Sequence, residues 1–417
     1  MGRISGTVAS RGGLAVSGAV RLTRFRECEA ALRNRDLRQA LYDAGKVVME
    51  GVLLALHGDE HAKRREVEVR VFRRNFFRYY EKEVFPATLA ETIAPYVESG
   101  EADLIAMGYR LTVNLTADFA GIDRPERSGE ETDRLITLTK KLSEGATMVH
   151  STRDPAELNA EVAQALAELD RDFLAASIAR RRALLEAAGT GDDDADLPRD
   201  VLTVILRAED ELELDDAQRL REIGFYLQAG AHSTANSVVH AVDEILGWAG
   251  DDPARWDRLD DPIFVQQCVH ESLRLHPASP EAWRRSLCPV AVREDESVPA
   301  DTRVELDLFQ ANRDREVFGD DADSFNPDRE VPSGVMRSAL AFGIGVHSCL
   351  GRELDGGVLA RAGSDPARVQ YGIVPLIVIE LLRLGVRKRP DRPPEPDEST
   401  IRPNYKSYPV TFTRVSR

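Results

Sequence analysis

The run FGIGVHSCLG at residues 342–351 contains three glycines and one cysteine, Cys349. Glycine accepts tight turns and left-handed backbone angles, so a loop of this kind can wrap around one side chain and aim its N–H groups at it. A thiolate that faces such donors beside a helix N-terminus is stabilised in its charged form, as a nucleophile or metal ligand requires. A lone cysteine is otherwise most often a small buried hydrophobic residue. Cys349 is therefore the first candidate functional residue.

The same run matches a family pattern at every specified position. It fails as a phosphate-binding loop, because the third glycine of GxGxxG would fall at Ser348 and no Gly-Lys-Ser/Thr is present. It resembles the haem-binding loop of the cytochrome P450 family, Phe-Gly-x-Gly-x-His/Arg-x-Cys-x-Gly. This resemblance implies that Cys349 is the axial thiolate, and thus the metal ligand, of the iron in haem b. It also implies that His347 pairs with a haem propionate and that Phe342 packs below the porphyrin.

A Glu-x-x-Arg pair upstream of the loop fits the same family. Glu271 and Arg274 are three residues apart, so they share one face of a helix. Most such pairs are solvated surface neighbours that contribute little to stability. The family carries a buried pair of this form before its cysteine, and its third partner matches Arg329. The resemblance therefore implies a structural triad.

Three further cationic residues match positions that bind haem propionates in the family. His61 and Arg65 are four residues apart on a helix predicted to begin near Gly58. Two cations at this spacing most often form a solvated face, but the family's second propionate-binding pair has this HxxxR form. Arg284 matches another propionate-binding arginine. Its neighbour Arg285 leaves open which of the two side chains points inward.

The longest segment without proline, about 215–248, predicts a helix that crosses a whole domain. Its middle, 229–234, is small and polar, which a helix tolerates only at some cost in stability. The family uses this position to bind dioxygen and relay protons through an acid and an alcohol. Ungapped alignment places His232 at the acid and Ser233 at the alcohol, whereas a shift of one makes Thr234 the alcohol. Since the carboxylate is missing in both, His232 is either a proton relay or a packed residue.

The rest of the chain predicts one large domain, 1–417, with a mainly α fold and smaller β-sheets (α+β). We expect a helix-rich part at about 40–288 and a mixed β and loop part, with the haem-thiolate loop, at about 289–417. A charged loop is expected at 189–196 within this domain. The family's early β-region is expected to be trimmed. After the cysteine loop, the glycine-rich stretch 355–372 is an insertion that cannot form one regular helix.

Charge and composition argue against several classes of binding partner. The chain has 55 Lys and Arg against 71 Asp and Glu, a net charge of −16, which disfavours nucleic acid and anionic membrane surfaces. No apolar run is long enough for a signal peptide or a membrane span. Four cysteines without a CxxC pair indicate neither a zinc site nor a disulfide scaffold. We therefore expect a cytoplasmic protein with no nucleic-acid or membrane partner.

The resemblance implies a haem-thiolate monooxygenase. Such an enzyme inserts one atom of O2 into a small apolar organic substrate, with electrons from a ferredoxin or flavodoxin-type donor and its reductase. A cover over the substrate is expected around 142–178. The missing carboxylate supports an alternative, a peroxide-driven oxidant or an isomerase. A non-catalytic haem-binding protein is less favoured, because no attached effector domain is visible.

Overall fold

The computed structural model describes residues 19–188, 197–360 and 363–413. The charged loop expected at 189–196 lies outside these ranges. Eighteen α-helices occur in the described part. They are α1 Phe25–Arg33, α2 Lys46–Met49, α3 Gly58–Glu68, α4 Arg74–Tyr79, α5 Phe85–Ser99, α6 Leu104–Ala120, α7 Gly129–Ala146, α8 Pro155–Leu169, α9 Ala175–Ala188, α10 Val201–Arg207, α11 Glu209–Leu212, α12 Asp216–Ala249, α13 Pro253–Arg258, α14 Pro262–Leu275, α15 Leu308–Ala311, α16 Arg315–Phe318, α17 Arg352–Asp355 and α18 Ile373–Arg383.

Short strands form four small sheets. The strands are β1 Val20–Leu22, β2 Leu37–Gln39, β3 Glu101–Asp103, β4 Glu281–Ser286, β5 Val290–Arg293, β6 Glu296–Val298, β7 Arg303–Asp307, β8 Val386–Lys388, β9 Glu395–Pro396, β10 Tyr405–Ser407 and β11 Pro409–Phe412. The sheet orders are β1-β7-β4-β2, β3-β11-β8, β10-β9 and β5-β6. The predicted mainly α fold with smaller β-sheets is confirmed.

Two short strands near the start of the described part, β1 and β2, belong to the four-stranded sheet, and the trimming of the family's early β-region stays a prediction. Strand β1 pairs in parallel with β7, in the register Val20 to Val304 and Leu22 to Leu306. Strand β2 pairs antiparallel with β4 at the other edge of the same sheet. The two strands are only three residues long, and their partners lie more than 240 positions away along the chain. A local sequence pattern that short does not distinguish a strand from a loop.

Helix α12 is the central strut of the helical part. Asp215 caps it, accepting a hydrogen bond from the backbone N–H of Gln218 while the Gln218 side chain accepts from the N–H of Asp215. Its 34 residues span about 51 Å, as the sequence predicted. It packs closely against α6, where a Cβ on Gly108 would lie 3.3 Å from Ala235. This helix supplies one wall of the site described below.

The stretch after the cysteine loop is irregular, as expected. Helix α17 ends at Asp355, and α18 begins only at Ile373. Between them the backbone doubles back so closely that a Cβ on Gly357, at φ 75°, would lie 2.1 Å from the carbonyl oxygen of Tyr371. Buried Glu81 fixes this return by accepting hydrogen bonds from the N–H groups of Tyr371 and Gly372. Gly357 and Gly372 therefore allow two backbone segments of this stretch to cross in close contact.

Across the described ranges, every helix is too short or too polar to cross a bilayer.

Candidate haem site

A cavity of about 360 Å³ lies between α12 and the loop at 342–351. Its wall contains every residue that the sequence predicted to bind haem: His61, Arg65, Arg284, Phe342, His347 and Cys349. We name it the haem cavity. A larger, open cavity of about 810 Å³ borders Phe76, Asp118 and Arg181, and it contains none of the predicted residues.

The loop places the sulfur of Cys349 through two tight turns. The backbone N–H of Cys349 donates to the carbonyl oxygen of Phe342 at 2.9 Å, which closes the loop on itself. Gly345 has φ 76°, and a Cβ there would lie 2.6 Å from the carbonyl oxygen of Leu32 in α1. Only glycine fits this approach. The loop is thus held against α1 while its cysteine faces the cavity.

The thiol of Cys349 is not ionised by the loop alone. Burial raises its pKa to about 11, the carboxylate of Asp355 adds to this, and a backbone hydrogen bond from Gly351 opposes it only in part. The N–H donor of Gly351 acts in the direction that the sequence predicts, towards the thiolate. Desolvation outweighs it, and a cation at the sulfur is needed to hold the charged form.

Unpaired polar groups surround the same cavity. The buried Nε2 of His61 and both ring nitrogens of His347 lack a hydrogen-bond partner, and the two ring centroids are 4.4 Å apart. Burial lowers the pKa of His61 to about 4 and that of His347 to about 3. Arg65 donates to the carbonyl oxygen of Ser348 at 2.8 Å. These groups have room for new hydrogen bonds to an anion.

Arg284 completes this cationic wall and settles which arginine faces inward. It is 3% exposed, donates to Oε1 of Gln39 at 3.0 Å, and pairs with no carboxylate in the described ranges. Arg285 points outward and pairs with Asp301 at 3.0 Å. Two guanidinium groups and two unpartnered imidazoles match the two carboxylates of a haem, which fork-like donors bind well. The residues present therefore fit haem.

Helix α12 presents four of the six residues 229–234 to the cavity, but not Ala231 or His232. Ser233 and Thr234 line the cavity, and the hydroxyl of Ser233 donates to the carbonyl oxygen of Ala229 at 2.6 Å. Nδ1 of His232 lies 2.5 Å from the hydroxyl of Tyr109 and borders a different cavity. Burial lowers the pKa of His232 to about 3, so it is neutral near pH 7. Its position gives no support to a proton relay into the haem cavity.

A carboxylate that the sequence analysis missed lies beside Thr234. The Thr234 hydroxyl donates to Oδ1 of Asp355 at 2.5 Å, and both residues line the haem cavity. Burial raises the pKa of Asp355 to about 6, although the hydrogen bond from Thr234 opposes the shift. The two residues are 121 positions apart. No local spacing could have shown this pair.

Asp355 should make the stability of the haem-free protein depend on pH. Its pKa is raised from 3.8 to about 6 on folding, so the folded state holds a proton that the unfolded state releases between these values. Stability from this group is present below pH 4 and is lost as the pH rises to about 6. We expect Asp355→Asn to match wild type at pH 4 and to exceed it by about 3 kcal/mol at pH 7 in urea unfolding. Asp365→Asn, an exposed carboxylate of the same segment, is the control, and equal pH profiles for wild type and Asp355→Asn would contradict the assignment.

The predicted Glu271 triad is buried behind the loop. Oε1 and Oε2 of Glu271 accept from Arg274 at 2.7 and 2.9 Å. Oε1 also accepts from Nε of Arg329 at 3.0 Å, and all three side chains are almost fully buried. Arg274 then donates to the carbonyl oxygens of Asn312 and Ala322, both at 2.7 Å. The triad thus ties α14 to the segment that leads into the cysteine loop.

Comparison with known proteins agrees with this geometry. The family model for cytochrome P450 matches residues 222–354, which include most of α12, the Glu271 triad and the cysteine loop. This part of the chain matches the cytochrome P450 family. The crystal structure of CalO2, a P450 fold neighbour, has a TM-score of 0.73 and 21% identity, and the match covers 94% of this chain and 90% of CalO2. That likeness shows the shared fold.

Curated P450 relatives are distant. Pulcherriminic acid synthase of Bacillus subtilis (strain 168) is 26% identical over 342 residues, which cover 79% of this chain and 77% of that protein. Taurochenodeoxycholic 6 alpha-hydroxylase of Sus scrofa is 25% identical over 221 residues, covering 48% of this chain and 41% of that protein. The match therefore spans less than half the length of the Sus scrofa enzyme.

Proposed function

We propose that this chain is a haem b monooxygenase of the cytochrome P450 family that inserts one atom of O2 into a small, largely apolar organic substrate. The observation that carries the proposal is the position of Cys349, which faces an apolar cavity lined, within the described residues, by imidazole nitrogens without a hydrogen-bond partner and by guanidinium groups without a carboxylate partner. A haem needs a cysteine sulfur for its iron and cations for its propionates, and the cavity offers Cys349 for the first and Arg65 and Arg284 for the second. When bound, haem supplies the activation of dioxygen and the transfer of electrons.

The residues of the chain then have distinct tasks. Cys349 binds the iron, whose charge overcomes the desolvation that keeps the free thiol protonated. His61, Arg65, Arg284 and His347 bind the propionates.

Protons reach the haem cavity through side-chain oxygen atoms on and beside α12. Thr234 and Ser233 present hydroxyl groups in the cavity, and Asp355 accepts the hydrogen bond of Thr234. With a pKa of about 6, the Asp355 carboxyl can both take up and release a proton near neutral pH. Asp355 thereby replaces the carboxylate that α12 lacks.

The apolar part of the wall defines the substrate class. Phe72, Phe119 and Phe225 line the haem cavity together with leucines. Large aromatic side chains exclude water and favour burial of an apolar molecule. The substrate is therefore oriented by shape and contact area at this end.

A basic surface near the loop suits an acidic electron donor of the ferredoxin or flavodoxin type, reduced in turn by its reductase. Five exposed cations follow α3 in a chain whose net charge is −16: Arg70, Arg73, Arg74, Arg78 and Lys82. Nε and Nη2 of Arg74 donate to the Glu353 carboxylate at 3.0 and 2.9 Å, and Glu353 is four residues from Cys349. Complementary charge steers such a partner to this face.

The decisive experiment is spectroscopic and then catalytic. The protein, purified with hemin supplementation, should show a thiolate-type spectrum for its reduced carbonyl adduct. Labelled dioxygen should then enter a bound apolar ligand when a ferredoxin and its reductase supply electrons. An imidazole-type spectrum or a colourless protein would overturn the proposal. Product that forms with peroxide alone, and not with the reductase, would replace it by the peroxide-driven alternative.

A further inference from the structure

A second cavity of about 270 Å³ adjoins the haem cavity. It is bordered by α6, α7, α12, the turn that follows α7 and the chain between β9 and β10. We name it the cationic cavity and define it by Tyr109, Lys140, His150, His232, Asn236 and Arg402. His232 and Asn236 lie on a face of α12 next to the one that carries Ser233 and Ser237 in the haem cavity.

Arg402 is a buried cation without a counter-ion. It is 8% exposed, its Nε has no hydrogen-bond partner, and no ion pair joins its guanidinium to a carboxylate of the described residues. Burial lowers the pKa of Arg402, with only two tyrosines opposing the shift. A buried guanidinium that keeps its charge is costly unless an anion pairs with it.

Two further side chains of the cavity, Lys140 and His150, can donate hydrogen bonds. The ammonium of Lys140 lies 4.5 Å from the ring centroid of Tyr109 and pairs with no carboxylate within the described ranges. His150 is 2% exposed, and both of its ring nitrogens lack a partner. A buried imidazole with no partner can donate one hydrogen bond to an anion.

Two acidic residues also border the cavity. Oδ1 of Asp397 accepts from the N–H and the hydroxyl of Ser399, at 3.0 and 2.6 Å, and the charge of Asp397 opposes the lowering of the Lys140 pKa by burial. Glu144 accepts from Arg153 at 3.1 Å and from the hydroxyl of Ser151 at 2.7 Å. Neither acid is bonded to Arg402 or Lys140. The cationic cavity is thus a locally positive site in an acidic chain.

Its location connects it to the proposed substrate. Arg402 also borders a narrow cleft whose walls include Asn236, Ser237 and Ala278, and the last two of these line the haem cavity as well. The segment 142–178, expected from the sequence to cover the substrate, borders the cationic cavity at Ser143, Glu144, Thr147, His150 and Ser151, and no residue of it lines the haem cavity. The cleft has a volume of only about 10 Å³, so it must widen if an organic acid held at Arg402 is to extend its apolar end into the haem cavity.

We propose that the cationic cavity binds the carboxylate of an organic acid, held by Arg402 and Lys140 with a hydrogen bond from His150. This inference rests on the proposed function in one respect only, namely that the acid is the substrate. The carboxylate site itself follows from the unpaired cations. A separate small carboxylate would use the same chemistry without reaching the haem cavity.

Titration calorimetry on the haem-loaded protein tests the site, with dodecanoate, dodecan-1-ol and benzoate as probes. We expect dodecanoate to bind wild type about 10- to 100-fold more tightly than it binds Arg402→Gln, the range for a lost charged hydrogen bond. The control Arg392→Gln removes one exposed positive charge from the same segment and should bind like wild type. Thermal unfolding without ligand should show Arg402→Gln to be at least as stable as wild type, because an unpaired buried charge is removed.

The three probes distinguish the carboxylate of a substrate from a separate small carboxylate. Dodecanoate binding that shifts the haem absorption and depends on Arg402 identifies the acid as substrate-like. Binding of benzoate and dodecanoate without an absorption change, still dependent on Arg402, keeps the carboxylate site and rejects the substrate. Equal affinity in wild type and Arg402→Gln, dodecan-1-ol binding as tightly as dodecanoate, or a clear loss of stability in Arg402→Gln would overturn the site. None of these readouts requires turnover, so they stand apart from failure of the monooxygenase proposal.

Discussion

Cys349→Ser should retain its fold and lose the thiolate spectrum together with nearly all oxygenation. The sulfur faces the haem cavity, and its loop is closed by backbone hydrogen bonds that do not involve the side chain. Serine fills the same space, but its alcohol does not supply the electron donation of a thiolate. We expect turnover to fall by at least about 1,000-fold, which is about 4 kcal/mol of activation free energy. The measurements are the reduced carbonyl spectrum and product formation.

Cys288→Ser is the matched control for this change. Cys288 is partly exposed and outside the haem cavity, so its removal should alter neither the spectrum nor turnover. Haem content and thermal unfolding of both variants separate loss of the ligand from loss of the fold. A Cys349→Ser protein that kept a thiolate-type spectrum would show that another group binds the iron.

The features predictable from sequence were those fixed by short spacing. The cysteine loop, the HxxxR turn of α3 and the Glu271–Arg274 pair each span no more than ten residues, and the structure brings the loop and the HxxxR turn to one cavity. The ends of α12 were predicted to within one residue, because a capping residue and uninterrupted periodicity mark them. Residues this close in sequence stay close in the folded protein, so their spacing predicts their contacts.

The features that the sequence could not show depend on the direction in which a side chain points and on contacts between residues far apart in the chain. Successive residues of a helix point about 100° apart, so one register decides whether His232 or Ser233 faces the haem cavity. The pairing of Thr234 with Asp355 joins two segments 121 positions apart. The pKa of Cys349 depends on burial, and a loop rich in N–H donors did not reveal how strongly the surroundings would raise it. Each of these is a property of packing in three dimensions.

Glu271→Gln should be the most destabilising single change among the charged residues described here. The side chain is fully buried, and its two oxygens accept four hydrogen bonds, including those from Arg274 and Arg329. Glutamine keeps the shape but leaves the buried guanidinium of Arg274 without a counter-charge and that of Arg329 with Asp321 alone. Removal of one partner from a buried ion pair typically costs about 3–5 kcal/mol. Urea unfolding of the haem-loaded protein, with haem retention measured in parallel, gives the value.

Asp328→Asn is the control that separates the stability gained from burial of an ion pair from the stability gained from its hydrogen bonds. Asp328 also bonds an arginine with both oxygens, Arg258 at 2.6 and 2.9 Å, but this pair is exposed to solvent. Water and salt screen it, so its loss should cost less than about 1 kcal/mol. Because in both pairs one arginine bonds both oxygens of a carboxylate, the difference between the variants measures what the protein interior and the additional bonds of Glu271 contribute. Similar losses in both would mean that the triad contributes through its bonds alone, and that the segment leading to Cys349 is held in place by other contacts.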